Sequence, residues 1–382
     1  MIEQLALTPP MGWNSWNTFG SQINEALIRE TADAMVASGL KDAGYTTIVI
    51  DDHWHGGRDE QGRLYPDPTK FPSGMPALAD FIHSKGMKFG IYSDAGEKTC
   101  GGQAGSLGHE ETDADTFASW GVDFLKYDYC YAPGDRGTAE NLYRKMGDAL
   151  KKAGAEAGRP ILYSLCEWGN RRPWLWGRKV GGHIWRATND IWDGWLDGEK
   201  EWQNGILSLI DLARGLEAYA GPGGWNDLDM LEVGIRGHGN TPGVKGCSDV
   251  EYKTHFAMWC MLASPLFIGC DIRSMDRTTL SILANTDLIA LNQDPAGKQG
   301  YRVITGRLEV YKKPLAKGSL GVAFLNRSEE TRPIVAHWSD LEIEGKYQVK
   351  DLWSHQETGI LDEVVSADVE AHGCAVFRLD RV

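Results

Sequence analysis

The sequence predicts a (β/α)8 TIM barrel of the α/β class followed by a C-terminal antiparallel β-sandwich. Three observations carry that expectation. Eight short β-branched or aromatic runs end in acidic clusters, helical patterns lie between them, and after about residue 295 the text turns to short strands divided by turns. A doubly wound open sheet is the chief alternative for the first part.

The runs are the region of Trp13 and Trp16, then 47–52, 88–94, 124–128, 161–167, 184–190, 224–229 and 265–271. Most intervals leave room for one helix and its loops, although the one from Glu167 to Asp190 is shorter. Leu27/Thr31/Met35, Leu142/Met146/Ala149 and Ile206/Leu209/Ile210/Ala213 each put apolar or small residues on one helix face. Ser248 and Glu251 form a capping box that opens the helix carrying Phe256 and Trp259. Beyond Asn292-Gln293-Asp294-Pro295, strands are expected at 308–311, 320–325, 347–349, 364–365 and 374–379. The boundary therefore falls between a barrel of residues 1–295 and a sandwich of residues 296–382.

Composition narrows the function. A net charge of −14 repels nucleic-acid phosphates and anionic lipid, so a neutral substrate fits better than a polyanion or a membrane. No apolar run approaches the roughly 18 residues of a membrane span. The stretch from Met1 through Ala6-Leu7 to Pro10 lacks the basic and apolar regions of a signal peptide, which is the expectation for a cytoplasmic chain or a processed secreted or periplasmic one. Seven cysteines are too few and too irregular for a disulfide scaffold, and none has zinc-ligand spacing. Of the 15 tryptophans, most precede residue 260, where broad apolar rings with one donor suit the C–H faces of sugars as well as cores.

In a (β/α)8 barrel the functional face is the C-terminal end of the strands. Asp51/Asp52, Asp94, Asp128, Glu167, Asp190, Asp229 and Asp271 all fall there. Any one of them could be a helix N-cap, but a ring in register points to chemistry. Residues two apart on a strand share a face, so Lys126 points with Asp128 and Tyr92 with Asp94, and a lysine beside a carboxylate keeps it ionised. Glycosidic cleavage wants one ionised and one protonated carboxyl, about 5–5.5 Å apart for retention or roughly 6.5–9.5 Å for inversion. Sequence supplies no distance.

The motifs Thr8-Pro9-Pro10-Met11-Gly12-Trp13-Asn14-Ser15-Trp16, Ile50-Asp51-Asp52, Gly90-Ile91-Tyr92-Ser93-Asp94-Ala95-Gly96 and Lys126-Tyr127-Asp128-Tyr129-Cys130 resemble glycoside hydrolase family 27. So do Cys166-Glu167-Trp168-Gly169, Trp185-Arg186-Ala187-Thr188-Asn189-Asp190 and Trp225-Asn226-Asp227-Leu228-Asp229-Met230. The resemblance spans nearly the whole chain. It implies a retaining α-galactosidase with Asp128 as nucleophile and Asp190 as acid/base, needing no cofactor and no metal. It also implies that Asp51 and Asp52 hold the sugar's 4- and 6-hydroxyls, Lys126 its 3-hydroxyl region and Trp16 its apolar face. Tyr92, Arg186, Asp229 and Met230 carry over as further pocket residues, and the bulky wall Cys166-Glu167-Trp168 implies galactose rather than N-acetylgalactosamine. The family's β-L-arabinopyranosidases depart at the acidic pair, which this chain keeps. A galactose-binding protein without turnover is the non-enzyme alternative, disfavoured because both carboxylates are present.

Cys100 and Cys130 match one disulfide of the family. The other is missing, since His53 stands where many relatives have cysteine. His53 and His55 beside Asp51 and Asp52 look superficially like metal ligands, but lone histidines near a sugar site are commonly hydrogen-bonding wall residues. Asn326-Arg327-Ser328 is a formal glycosylation sequon and a weak signal. The aglycone and the oligomeric state are not readable.

Overall fold

A computed structural model describes residues 5–382, and Met1–Gln4, part of the stretch read for a leader, lie outside the described residues. Eight parallel strands form one curled sheet: β1 Met11–Asn14, β2 Thr47–Ile50, β3 Lys88–Asp94, β4 Phe124–Asp128, β5 Leu162–Leu165, β6 Ile184–Arg186, β7 Trp225–Asp227 and β8 Leu266–Ile268. Their order is β8-β1-β2-β3-β4-β5-β6-β7, and a bridge from Leu231, just past β7, to Ile268 of β8 closes the ring. All eight expected runs supply a strand. Runs such as Thr-Ile-Val-Ile in β2 are buried at every position because a parallel strand is covered on both faces.

Helices α1 Glu25–Ala37, α2 Gly74–Ser84, α3 Glu110–Ser119, α4 Arg136–Glu156, α5 Ile206–Leu212, α6 Asp249–Met261, α7 Arg277–Leu283 and α8 Thr286–Asn292 surround the sheet. Leu27, Thr31 and Met35 of α1 and Leu142, Met146 and Ala149 of α4 are buried, as their spacing predicts. The capping box of α6 is complete: Glu251 N donates to Ser248 Oγ at 3.3 Å and Ser248 N to Glu251 Oε2 at 2.7 Å. The short interval after β5 holds two 3-10 turns, Pro173–Leu175 and Gly177–Val180, in place of an α-helix. The second of these packs on α4 at Gly147, where a Cβ would lie 2.0 Å from the Val180 carbonyl oxygen. A two-stranded hairpin, His55–Arg58 with Leu64–Pro66, was not expected from the pattern.

The C-terminal unit contains β9 Tyr301–Ile304, β10 Leu308–Pro314, β11 Leu320–Asn326, β12 Arg332–His337, β13 Tyr347–Asp351, β14 Glu357–Leu361, β15 Val364–Val369 and β16 Cys374–Arg381. Six of them form an antiparallel sheet in the order β9-β10-β11-β16-β13-β14, and β12 pairs with β15 as the second layer. The larger sheet is covered on both sides. Val310, Val322 and Phe324 face the second layer, while Tyr311, Ala323, Leu325 and Val376 join the core of the barrel. At this junction the Lys313 Nζ donates to the Cys260 carbonyl at 2.9 Å, and Arg327 pairs with Asp211 of α5 at 2.8 Å. Asn326 is fully buried and its amide donates to the carbonyls of Glu330, Val369 and Glu370, so the sequon is a turn-closing device.

Candidate active site

The strand ends surround a cleft of about 1230 Å³. Its floor is built around two buried cations. The Lys126 ammonium, rising from β4, sits 2.7 Å from Asp51 Oδ2, and Asn14 Nδ2 donates to that same oxygen at 2.7 Å. Burial works against the ammonium, but Asp51 and its neighbouring anions raise its pKa, so it stays charged. Asp52 accepts from the backbone N–H of Gly101 and of His53, each at 2.7 Å. Burial raises its pKa against those bonds. Trp16 follows β1 and lies parallel to His53, with centroids 6.2 Å apart and 3° between planes.

Asp128, at the end of β4, is buried. Tyr92 donates to its Oδ2 at 2.9 Å, whereas its Oδ1 has no hydrogen-bond partner among the described residues. Burial pushes this carboxyl up to about 6, outweighing the pull of Lys126 in the other direction. Lysine thus moderates the desolvation of Asp128 rather than cancelling it, because its direct partner is Asp51.

The second cation is Arg186, at the end of β6. Its guanidinium reaches Asp190 Oδ1 at 2.8 Å and Asp229 Oδ2 at 2.9 Å. Asp229 also accepts from Ile191 N at 2.8 Å, and burial pushes it up to about 6 against the arginine's effect. Asp190 differs in setting, with its side chain 46% exposed on the cleft. Cys166 and Trp168 supply the wall after β5, with Trp168 at a positive φ of 59° and the Cys166 sulfur 3.7 Å from Arg186 Nη1.

Trp16, Asp51, Asp52, Tyr92, Lys126, Asp128, Cys166, Trp168, Arg186, Asp190 and Asp229 therefore line one cleft. Glu167 and Met230 do not. Glu167 is buried, with its Oε2 accepting from Arg171 N at 2.7 Å and Nη1 at 3.2 Å and its Oε1 without a hydrogen-bond partner among the described residues. The strand has ended at Leu165, so the alternation that would aim Glu167 no longer applies. Met230 lines a separate cavity of about 30 Å³ beneath Arg186 and Asp229. Two acids of the ring are also structural: Asp94 accepts from Gly96 N and Cys130 N, and Asp271 caps the turn at Arg273.

Cys100 and Cys130 are joined as a disulfide, with the Cys100 sulfur 3.3 Å from Asp128 Oδ2. These sulfurs group with Asp94 and Asp128, but a disulfide offers no thiolate to a metal. His53 and His55 diverge: the first stacks on Trp16, and the second is buried on Trp54 at 3.9 Å, where burial pushes its pKa down to about 3. Sequence reasoning missed Asn17, on a short helical turn at residues 16–19, and Trp192, Lys200, Trp202, Glu232 and Asn240, which reach the cleft from loops. Only the surplus of tryptophan hinted at them.

Residues 8–294 match the family described as α-galactosidase A, and residues 305–379 match the α-galactosidase C-terminal β-sandwich domain. The chain belongs to glycoside hydrolase family 27. An α-galactosidase A of Cellvibrio japonicus is 46% identical over 99% of this chain and 93% of its own length. The crystal structure of α-galactosidase I from Mortierella vinacea superposes with a TM-score of 0.92 at 36% identity, covering 100% of this chain and 99% of that one. An α-galactosidase from Saccharomyces cerevisiae with raffinose gives 0.91 at 32% identity, covering 99% and 98%. The family 27 fold is thus shared from the barrel through the sandwich. No helix among the described residues is long and apolar enough to cross a membrane.

Since Glu167 Oε2 is engaged by Arg171 and the residue lies outside the cleft lining, Glu167→Gln should leave KM and kcat on an aryl α-galactoside within about twofold of the parent while lowering the melting temperature. Initial rates and calorimetry check this, and a KM rise of about tenfold would return the carboxylate to the substrate.

Proposed function

We propose that the chain hydrolyses terminal α-linked D-galactose from oligosaccharides or glycoconjugates by double displacement, with Asp128 as nucleophile and Asp190 as acid/base. One observation carries the assignment of roles. Asp128 is buried in the wall of the cleft at the end of β4, whereas Asp190 is half exposed on the same cleft and tied to Arg186.

In the first step an Asp128 carboxylate oxygen bonds to the anomeric carbon as the glycosidic C–O bond breaks, and the proton of Asp190 goes to the leaving oxygen. A β-galactosyl ester on Asp128 results. In the second step Asp190 takes a proton from water, whose oxygen attacks the same carbon and releases α-galactose with the Asp128 carboxylate restored. Tyr92 donates to Asp128 Oδ2 and holds the carboxylate in place for attack.

Recognition follows from donor and acceptor chemistry. Asp51 and Asp52 accept from sugar hydroxyls, Lys126 donates to one, and Trp16 covers C–H bonds. Cys166 and Trp168 fill the wall where a 2-acetamido group would need space, which favours galactose over N-acetylgalactosamine. The retained Asp51-Asp52 pair gives a hydroxymethyl arm a partner, unlike the arabinopyranosidase pattern. Residues 1–295 are the catalytic unit in this reading, and residues 296–382 support it.

Turnover of p-nitrophenyl α-galactoside against its N-acetylgalactosamine analogue tests the reading, and preference for the analogue would overturn the choice of sugar. Asp128→Asn should lower kcat by about 10³-fold or more while galactose binding stays measurable by calorimetry. Substantial remaining turnover would remove Asp128 as nucleophile. Because attack needs the ionised carboxylate and burial sets its pKa at about 6, kcat/KM should fall as pH drops through about 6. A flat profile down to pH of about 4.5 would contradict that.

A further inference from the structure

The geometry points to a second sugar-binding site in the same cleft, a stacking platform at Trp202 that holds the leaving saccharide beyond the scissile bond. This inference rests on the proposed α-galactosidase activity and extends it to the class of substrate: galactose carried on an oligosaccharide of two or more further sugar rings.

The leaving group must lie on the side of the residue that protonates it. Asp190 opens the loop that runs to α5, and the same loop carries Trp192, Lys200 and Trp202 into the cleft. The loop is tied to Asp190 itself, since Asn204 N donates to the Asp190 carbonyl at 3.1 Å. Further ties hold its shape: Trp192 N to Asn204 O at 3.1 Å, Trp192 Nε1 to Leu196 O at 2.8 Å, and Gly205 N to Asp197 Oδ1 at 2.8 Å. Buried Gln203 closes the tip by accepting from Lys200 N at 3.1 Å. The platform is therefore preorganised rather than assembled by the sugar.

Trp202 is 45% exposed although it lines a cavity. Lys200 Nζ lies 5.2 Å from its ring centroid, which orients the indole and places a donor beside it. A broad apolar ring flanked by an ammonium suits a pyranose, whose C–H face packs on the indole while a hydroxyl accepts from the lysine. Volume agrees. At about 1230 Å³ the cleft exceeds the roughly 300–1,000 Å³ that encloses a drug-sized ligand, so one galactose leaves much of it unfilled.

The test compares the parent with Trp202→Ala and Trp202→Phe on methyl α-galactoside, an α-galactosyl disaccharide and raffinose, following released galactose. For Trp202→Ala, KM for raffinose should rise about five- to tenfold with kcat within about twofold, while methyl α-galactoside and inhibition by free galactose stay unchanged. The disaccharide should fall between them, and Trp202→Phe should keep most of the raffinose affinity. Equal losses on all three substrates would mean that the indole only supports the loop, and no loss on any would mean that it touches no sugar. Either result overturns the platform while leaving the activity intact. A parent enzyme that cleaves none of the three would instead overturn the α-galactosidase reading, and the platform with it.

Discussion

Two buried cations, Lys126 and Arg186, make this site possible. Asp51, Asp52, Asp128 and Asp229 crowd into one wall of strand ends, where an uncompensated carboxylate would cost several kcal/mol of desolvation and take up a proton. Lys126 secures Asp51, and Arg186 bridges Asp190 and Asp229. Removing either cation would leave partners of the same sign facing each other across the floor of the cleft. The carboxylates are held together by a pair of charges that serve several acids at once.

Other features follow from that compensation being incomplete. Asp128 sits between Tyr92 and the disulfide sulfur without a direct cation, so burial sets its character. Asp190, by contrast, is half exposed on the open side of the cleft and has Arg186 as a direct partner.

The barrel was legible because its signals are periodic or local. Runs such as Thr47–Ile50 are apolar throughout, the stripes on α1 and α4 repeat at helical spacing, and the capping box at Ser248 uses residues three apart. Acids at strand ends were placed by topology, and the family motifs then selected among them. Glu167 lies beyond the last paired residue of its strand, where side-chain direction depends on the loop. Met230, given by the resemblance alone, likewise lies past the end of its strand at Asp227, after Asp229 with its positive φ of 82°. β12 went unseen because Arg332-Pro333 opens it and only Ile334 and Ala336 point inward, a pattern too short to register. Trp202 has no periodic signal at all. Its place depends on a bond that Asn204 Nδ2 donates to the Trp202 carbonyl and one that Gln203 accepts from Lys200 N, which only the folded loop contains.

The way the sandwich shares its sheet with the barrel bears on how the chain comes off the ribosome. β16, Cys374–Arg381, lies in the middle of the six-stranded sheet between β11 and β13, and its Cys374 and Val376 belong to the barrel's own core. β10 pairs with β11 and β13 with β14 on their own, but the two parts of the sheet are joined only through β16. Until β16 is made, the barrel core lacks Cys374 and Val376, so its cover from the C-terminal unit is completed in two stages.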